Sequence, residues 1–224
     1  MALTVDVVSD VVCPWCFIGK RRLAEALEMY RARFPDEPAP EVVFHPFELN
    51  PQLPPEGITR KEYRERKFGE AKGRQLDAQI AGIGETLGIA FEFDSIVMQP
   101  NTRAMHALIM LATESGLQDQ VKEAFMKAYF TDGIDLTRRE HVESVAIDAG
   151  MDVDAVRACL DDPAALAAVE KEEQQAQAIG VSGVPFFIFN RRLAVSGAHE
   201  PATLFDAMLQ AEQDPDGTGQ PAKA

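Results

Sequence analysis

Two cysteines separated by Pro-Trp stand at the junction of a strand-like run and a helix-prone segment, in the stretch VVCPWCFIGKRRL at 11–23. The run at 3–9 is short, rich in valine and bounded by Asp10, which is typical of a strand. From Pro14 to about Arg33, apolar residues recur at helical spacing. A strand-to-helix junction therefore carries both thiols.

The spacing Cys-x-x-Cys at a helix start allows the two sulfur atoms to meet. Cys13 falls near the N-cap and Cys16 three residues later, so both side chains lie on one helix face and can form a disulfide. Pro14 is tolerated in the first turn because its missing N–H has no helical partner there. The helix N-terminus favours an anion, and the thiolate is the nucleophilic form of cysteine. We therefore expect Cys13 to be the more exposed, attacking thiol and Cys16 the resolving thiol.

Two other uses of a Cys-x-x-Cys pair compete with redox chemistry. A zinc site needs further ligands, whereas the four histidines are scattered and no second Cys-x-x-Cys occurs. The other alternative is a chance pair of buried thiols. The position at a helix start, with Pro14 between the cysteines, favours redox use over both. We predict no metal site and no tightly bound cofactor, and we expect Cys159 to be a buried small hydrophobe.

A net charge of −14 argues against partners that require a basic surface. Nucleic acid is bound by lysine and arginine that neutralise phosphate, and anionic membranes attract the same residues. No stretch approaches the length of a membrane span, and MALTVDVVSD at the N-terminus lacks the basic and apolar regions of a signal peptide. We therefore expect a cytoplasmic protein that binds neither nucleic acid nor membranes.

The rest of the chain changes character twice. A second strand at 41–49 completes a strand–helix–strand unit of the α/β type. A long segment of amphipathic helices follows, predicted at 59–88, 101–115, 117–130, 137–149, 152–161 and 163–179. Asn101 or Thr102 is placed to cap the second of these helices, and TRRE at 137–140 predicts a capping box for the fourth.

Strand patterns return near the C-terminus. The segments 185–189 and 192–197, joined by an Asn190-Arg191 turn, predict a hairpin, and a last helix is predicted from Pro201 to Ala211. The sequence thus predicts an α/β domain with a large inserted α-helical domain. The predicted divisions are 1–52 and 180–212 for the two parts of the α/β domain, 53–179 for the inserted domain and 213–224 for a disordered tail.

Several motifs resemble those of the DsbA family in the thioredoxin superfamily. They are SDVVCPWCFIG (9–19), PFELNP (46–51), PNTRAMH (100–106), AYF (128–130), GVSGVPFFIF (180–189) and VSGAH (195–199). Within that family the chain resembles more closely the FrnE-like branch, which is related to the 2-hydroxychromene-2-carboxylate isomerases and the kappa-class glutathione transferases. The resemblance covers nearly the whole chain and implies a thioredoxin-like fold whose helical insertion covers the active site.

Position by position, the resemblance implies further site residues. Pro185 matches the cis-proline that faces the two cysteines in thioredoxin-like folds, and Val184 before it would pair with the main chain of a substrate. Asn101 and Thr102 would lie near the thiols and help to bind glutathione or a peptide. The resemblance also implies a homodimer, which no feature of the sequence establishes.

The residues around the cysteines carry further predictions. Trp15 is expected to be exposed and, with Pro14, to form a recognition surface for substrates. Asp10 is a candidate proton relay, although ending the strand and accepting backbone hydrogen bonds is the better interpretation. His106 either reaches the cleft or is a satisfied helical histidine. The basic residues 20–22 either attract anionic glutathione or form a solvated helix face.

The predicted function is a cytoplasmic thiol–disulfide oxidoreductase that exchanges disulfides with proteins or with glutathione as a co-substrate. The related isomerases and transferases commonly have serine where Cys13 stands, so the intact pair favours exchange. Periplasmic DsbA typically has histidine between its cysteines, so with Trp15 there we expect a less oxidising couple. The alternatives are a glutathione-dependent isomerase or transferase and a redox-independent holdase chaperone.

Overall fold

A computed structural model describes residues 2–213 of the chain. The strands are β1 (Thr4–Ser9), β2 (Glu41–Pro46), β3 (Ile58–Thr59), β4 (Met98–Gln99), β5 (Phe186–Phe189) and β6 (Leu193–Ser196). The helices are α1 (Pro14–Arg33), α2 (Arg60–Lys67), α3 (Glu70–Thr86), α4 (Arg103–Leu111), α5 (Gln118–Phe130), α6 (Arg139–Asp148), α7 (Val153–Asp161), α8 (Pro163–Ala178) and α9 (Pro201–Gln213). A short 3₁₀ turn lies at Phe93–Ser95.

The main sheet has four strands in the order β2-β1-β5-β6. Strands β1 and β2 are parallel and joined by α1, whereas β5 is antiparallel to both β1 and β6. Val7 of β1 lies opposite Phe44 on one side and Phe187 on the other, so the central strand is paired along both edges. The predicted mixed α/β architecture is confirmed.

The two larger of three hydrophobic clusters hold the sheet and the helices together. One lies between the sheet and helices α1 and α9, and includes Leu23, Tyr30, Phe187 and Leu204. The other lies within the helical segment between β2 and β5, yet it also contains Cys13, Cys16 and Phe17. The first turn of α1 is therefore buried against the helical segment, as the resemblance implied. The predicted domain boundaries remain predictions.

The helical segment differs from the predicted one in two places. The single helix expected at 59–88 is two helices, because Gly69 adopts a left-handed backbone (φ 75) that ends one and precedes the other. The capping box predicted at 137–140 is not formed, so that prediction is wrong. Helix α6 begins at Arg139, and the Thr137 hydroxyl donates to Asp135 Oδ1 at 2.6 Å instead of capping the helix.

The predicted C-terminal hairpin is confirmed, with its turn at Asn190 and Arg191. Asn190 and Arg191 both have positive φ (49 and 57), the conformation that joins two strands most tightly. The Asn190 side chain accepts from Thr4 N at 3.0 Å and donates to Ala211 O at 3.1 Å. Helix α9 extends to Gln213, one residue into the predicted tail; the rest of that tail lies outside the described residues.

Across residues 2–213, no helix combines the length and the apolar character that crossing a membrane requires.

Candidate active site

The two thiols occupy the first turn of α1. Cys13 is the N-cap with extended backbone (φ −97, ψ 112), and its carbonyl accepts from Cys16 N at 3.0 Å. Pro14 follows at the first helical position. Both thiols are free and both are buried, at 4% and 2% exposed. Cys13 is slightly the more exposed thiol, as expected, but both are buried because the helical core packs over the turn.

The loop that contains Pro185 lies directly against Cys13. The Val184–Pro185 peptide bond is cis, and the Cys13 thiol donates to the Val184 carbonyl oxygen at 3.8 Å between sulfur and oxygen. Gly19 of α1 allows this approach, since a Cβ there would lie 3.0 Å from Pro185 Cγ and 3.1 Å from Phe187 Cζ. A larger residue at position 19 would push the loop away from the thiols.

Trp15 presents the large exposed side chain of the motif. Its side chain is 36% exposed, whereas the cysteines on either side are buried and Pro14 is half-buried. The predicted exposure of Trp15 is therefore observed, and its role in recognition stays a prediction.

Asp10 is a buried acceptor at the end of β1. Its carboxylate accepts from Leu49 N at 2.8 Å and from Val12 N at 3.5 Å, and lies 3.2 Å from His106 Nε2. Asp10 and His106 are 0% and 1% exposed. The carboxylate thus holds together β1, the loop after β2 and helix α4, which agrees with the structural interpretation of Asp10.

The environment of Cys16 disfavours its thiolate. Burial is the largest factor that raises the pKa of Cys16 well above its usual value, followed by the hydrogen bond to Cys13 and the charge of Cys13. A backbone hydrogen bond at Asp10 and the ammonium of Lys122 act in the opposite direction. Cys16 is therefore held as a thiol at rest.

Lys122 is the residue of this site that the sequence analysis missed. It lies on α5 and is 1% exposed, and burial lowers the pKa of its ammonium to about 8. The sequence did contain a signal for its burial, because the lysine directly follows Val121 on the buried face of an amphipathic helix. Lysine is rarely fully buried, so this position warranted notice.

A second buried polar cluster adjoins Asp10. The backbone N–H of Glu48 donates to the carboxylate of Glu173 on α8, and Arg103 Nε of α4 lies 2.9 Å from Glu48 Oε1. Burial first, and then the charge of Glu48, raise the pKa of Glu173 to about 7. The cluster fixes helices α4 and α8 to the chain after β2.

Asn101 and Thr102 are held by contacts within the protein. The Asn101 side chain donates to Leu53 O at 3.0 Å and accepts from Arg103 N at 3.0 Å. Thr102 is the N-cap of α4 without a side-chain cap, and its carbonyl accepts from His106 N at 3.0 Å. Their contribution to substrate binding stays a prediction.

The basic residues of α1 are paired with acidic residues. Lys20 lies 2.8 Å from Asp119 and 3.0 Å from Glu123, Arg21 also pairs with Glu123, and Arg22 lies 2.5 Å from a Glu200 carboxylate oxygen. These pairs fix α1 to α5 and to the start of α9.

The remaining cysteine is a core residue. Cys159 lies on α7 in the core of the helical segment, at 9% exposed, and burial raises the pKa of its thiol. Throughout the described part of the chain, no three histidine, cysteine or carboxylate side chains are arranged to hold a metal ion.

Comparison with known proteins identifies the family. The model of the DSBA-like thioredoxin domain matches residues 4–209. The crystal structure of a probable DsbA oxidoreductase from Streptomyces coelicolor is 31% identical, with 99% of this chain and 93% of that chain covered at a TM-score of 0.85. The chain belongs to the family of DsbA-like thioredoxin domains. The predicted thioredoxin-like fold is thereby confirmed.

More distant structures share the fold. A 2-hydroxychromene-2-carboxylate isomerase is 18% identical, with 96% and 100% of the two chains covered and a TM-score of 0.67. The cytosolic disulfide reductase DsbM from Pseudomonas aeruginosa, solved with glutathione, is 17% identical, with 94% and 98% covered and a TM-score of 0.62. At these identities the two structures show a shared fold, whereas the family match and the Streptomyces coelicolor structure support an enzyme of the oxidoreductase class.

Proposed function

We propose that the protein is a cytoplasmic thiol–disulfide oxidoreductase whose reacting atoms are the sulfurs of Cys13 and Cys16. The observation that carries this proposal is a pair of free thiols within one helical turn, the first of which faces the Val184 carbonyl at 3.8 Å. Two sulfurs so placed can close a disulfide with little movement of the backbone.

The reaction proceeds in two exchanges. The Cys13 thiolate attacks a substrate disulfide, forms a mixed disulfide and releases the first substrate thiolate. The Cys16 thiolate then attacks Cys13 Sγ, which closes the Cys13–Cys16 disulfide and releases the second substrate thiolate. Two electrons pass from the pair to the substrate, and each released thiolate takes up a proton. Reversal oxidises a substrate dithiol.

The order in which the two thiols react follows from their surroundings. The free N–H groups and the dipole at the start of α1 stabilise a thiolate on Cys13, the N-cap residue. Cys16 lies inside the turn, and burial raises its pKa. Cys13 is therefore the attacking thiol, and Cys16 reacts after Cys13 has been consumed.

Protein disulfides and glutathione are the substrates that this site suits. The backbone of Val184 beside Cys13 offers a main-chain partner to an extended peptide, and the exposed Trp15 offers an apolar contact surface. Glutathione as a co-substrate is supported by the structure of the cytosolic reductase DsbM solved with it.

A glutathione-dependent isomerase or transferase is the second candidate. It is favoured by the similarity to a 2-hydroxychromene-2-carboxylate isomerase over 96% of this chain. In that case glutathione reacts directly with an organic substrate, and Cys16 is dispensable. The two candidates differ in what happens when the resolving thiol is removed.

Trapping of the mixed disulfide tests the proposal. Cys16→Ser, Cys13→Ser and Cys159→Ser variants are each incubated with oxidised glutathione or a disulfide-linked peptide, and adducts are located by mass spectrometry. We expect Cys16→Ser to accumulate an adduct at Cys13, Cys13→Ser to lose exchange, and Cys159→Ser to match the wild type. Unchanged glutathione-dependent turnover in Cys16→Ser, with no adduct at Cys13, would support the isomerase or transferase instead.

A further inference from the structure

Lys122 is a fully buried cation without a hydrogen-bond partner among the described residues. Its side chain is 1% exposed, and its Nζ lies 5.3 Å from the centre of the Phe44 ring. A buried ammonium that lacks hydrogen bonds costs free energy unless an opposite charge compensates it. The position therefore calls for a negative charge close by.

The placement of Lys122 is fixed by contacts of its own helix. Gln118, one turn earlier on α5, donates its side-chain amide to Phe44 O at 2.9 Å and accepts from Phe44 N at 2.8 Å. These bonds lock α5 against the edge strand β2. The ammonium is thereby held beside the Phe44 ring, and Lys20 Nζ of α1, one turn after Cys16, lies 6.0 Å from the centre of the same ring. Lys122 is therefore close to the start of α1.

The charged groups around Lys122 come from α1 and from the end of β1. Cys16 and Cys13 of the active-site turn and Asp10 of β1 attract the ammonium, whereas Lys20 of α1 repels it. Lys20 is itself paired with Asp119 and Glu123. The Asp10 carboxylate is already engaged by Leu49, Val12 and His106. Among the attracting groups, the Cys16 sulfur has the largest effect on Lys122, ahead of Asp10.

We propose that Lys122 is the counter-cation of the Cys16 thiolate during resolution of the mixed disulfide, an inference that rests on the proposed exchange function. In this step the Cys16 thiolate attacks Cys13 Sγ, the Cys13–Cys16 bond forms and the bond from Cys13 to the substrate sulfur breaks. The electron pair leaves with the substrate sulfur, which takes up a proton equivalent to the one Cys16 lost. Lys122 remains protonated throughout.

The effect is specific to the second exchange. Once Cys13 is bonded to substrate, it no longer carries a negative charge that opposes ionisation of Cys16. Burial then remains as the main obstacle, and the ammonium of Lys122 acts against it. Lys122 is thus expected to accelerate resolution more than the initial attack by Cys13.

The direct test is the ionisation of Cys16 measured with and without the ammonium. In a Cys13→Ser/Cys159→Ser background, the ultraviolet absorbance of the thiolate is followed against pH, and Lys122→Met is added. We expect Lys122→Met to raise the Cys16 pKa by about one unit or more. At any pH below the pKa, this corresponds to about tenfold less Cys16 thiolate. Lys127→Met on the exposed face of α5 is the matched control, with no expected change. An unchanged Cys16 pKa in Lys122→Met would overturn the inference.

A second measurement leaves Lys122 in place, in case its replacement prevents folding. The NMR titration of the Lys122 side chain is compared between Cys13→Ser and Cys13→Ser/Cys16→Ala. Coupling between two sites is reciprocal, so the titration midpoint of Lys122 is expected to fall when Cys16 is removed. An identical midpoint in both proteins would equally overturn the inference.

The proposed role of Lys122 and the proposed exchange function can be disproved independently of each other. If wild-type protein forms a mixed disulfide at Cys13 but its resolution rate is unchanged in Lys122→Met, the role of Lys122 is wrong and exchange stands. If no mixed disulfide forms at Cys13, the exchange function fails, whatever the pKa of Cys16.

Discussion

Cys13 and Val184 are 171 residues apart in the chain, yet the Cys13 sulfur lies 3.8 Å from the Val184 carbonyl oxygen. The contact joins the N-cap of α1 to the loop that precedes β5. In the proposed exchange function, the backbone atoms of this loop would pair with the main chain of a peptide substrate, independently of its side chains. Broad substrate selection is the expected consequence.

The approach of the Val184–Pro185 loop to α1 depends on Gly19. A Cβ at this position would lie 3.0 Å from Pro185 Cγ, so Gly19→Ala is expected to destabilise the fold by about 1–3 kcal/mol and to slow exchange. Gly82→Ala in α3 is the control, because a Cβ there meets no atom within 4 Å and alanine stabilises a helix interior by about 0.5–1 kcal/mol. Urea unfolding measures both. Equal effects of the two substitutions would contradict the steric argument.

Trp15 is expected to matter for substrates and little for stability. Since its side chain is 36% exposed, Trp15→Ala should change the unfolding free energy by less than about 0.5 kcal/mol. Loss of its contact surface should slow exchange with a disulfide-linked peptide roughly fivefold, which corresponds to about 1 kcal/mol. Trp15→Phe should restore much of the rate, and a small non-peptide disulfide should be affected less. Stopped-flow kinetics would reject this role if both substrates slowed equally.

Glu173 makes stability depend on pH. Its folded-state pKa of about 7 exceeds its ordinary value of 4.5, so the folded protein binds the proton more tightly than the unfolded chain. The contribution of this group is thus fully present below about pH 4.5 and is lost as the pH rises through 7.

Replacement of Glu173 by glutamine tests this dependence. Glu173→Gln keeps an acceptor for Glu48 N without the charge, so it should be more stable than wild type at pH 8 and similar at pH 5. Glu170→Gln, at an exposed position of the same helix, is the control. Thermal unfolding at the two pH values measures the difference. The same pH dependence in wild type and Glu173→Gln would show that the cluster does not hold this proton.

The hairpin turn contains a position where glycine is expected to be better than the native residue. Arg191 has φ 57, a left-handed conformation that costs a side-chain-bearing residue about 1 kcal/mol, so Arg191→Gly should raise the unfolding free energy by about that amount. Asn190→Gly should instead be destabilising, because it loses the bonds to Thr4 N and Ala211 O. Urea midpoints of both variants decide the matter. A lower midpoint for Arg191→Gly would contradict the prediction.

Most of the fold could be predicted because local sequence signals agreed with the tertiary structure. The helix predicted from Pro14 to about Arg33 is α1, since proline at its first position and uninterrupted helical periodicity mark the same segment. The break at Gly69 was missed because an isolated glycine within a helical pattern is compatible with a continuous helix. The short pairing of β3 with β4 joins segments about forty residues apart, which local patterns do not reveal.

The part of the site that lies within the Cys-x-x-Cys motif could be predicted from the sequence. The spacing of Cys13 and Cys16 is enough to predict that both thiols lie in the first turn of a helix, and they do. Their burial depends on helices that are distant in sequence, so the motif indicated which thiol is the more exposed but not that both are buried. Lys122 is placed by the packing of α5 on β2, a tertiary relationship that the sequence does not display.

The most direct test of the exchange mechanism is a redox titration of the purified protein in glutathione buffers. Trp15, the single tryptophan, lies between the thiols and should report the Cys13–Cys16 disulfide through its fluorescence. We predict a two-electron transition that is absent in Cys13→Ser, at a potential below the value of about −120 mV for DsbA. Failure to form an intramolecular disulfide at any glutathione ratio would contradict the account and favour the glutathione-dependent isomerase or transferase.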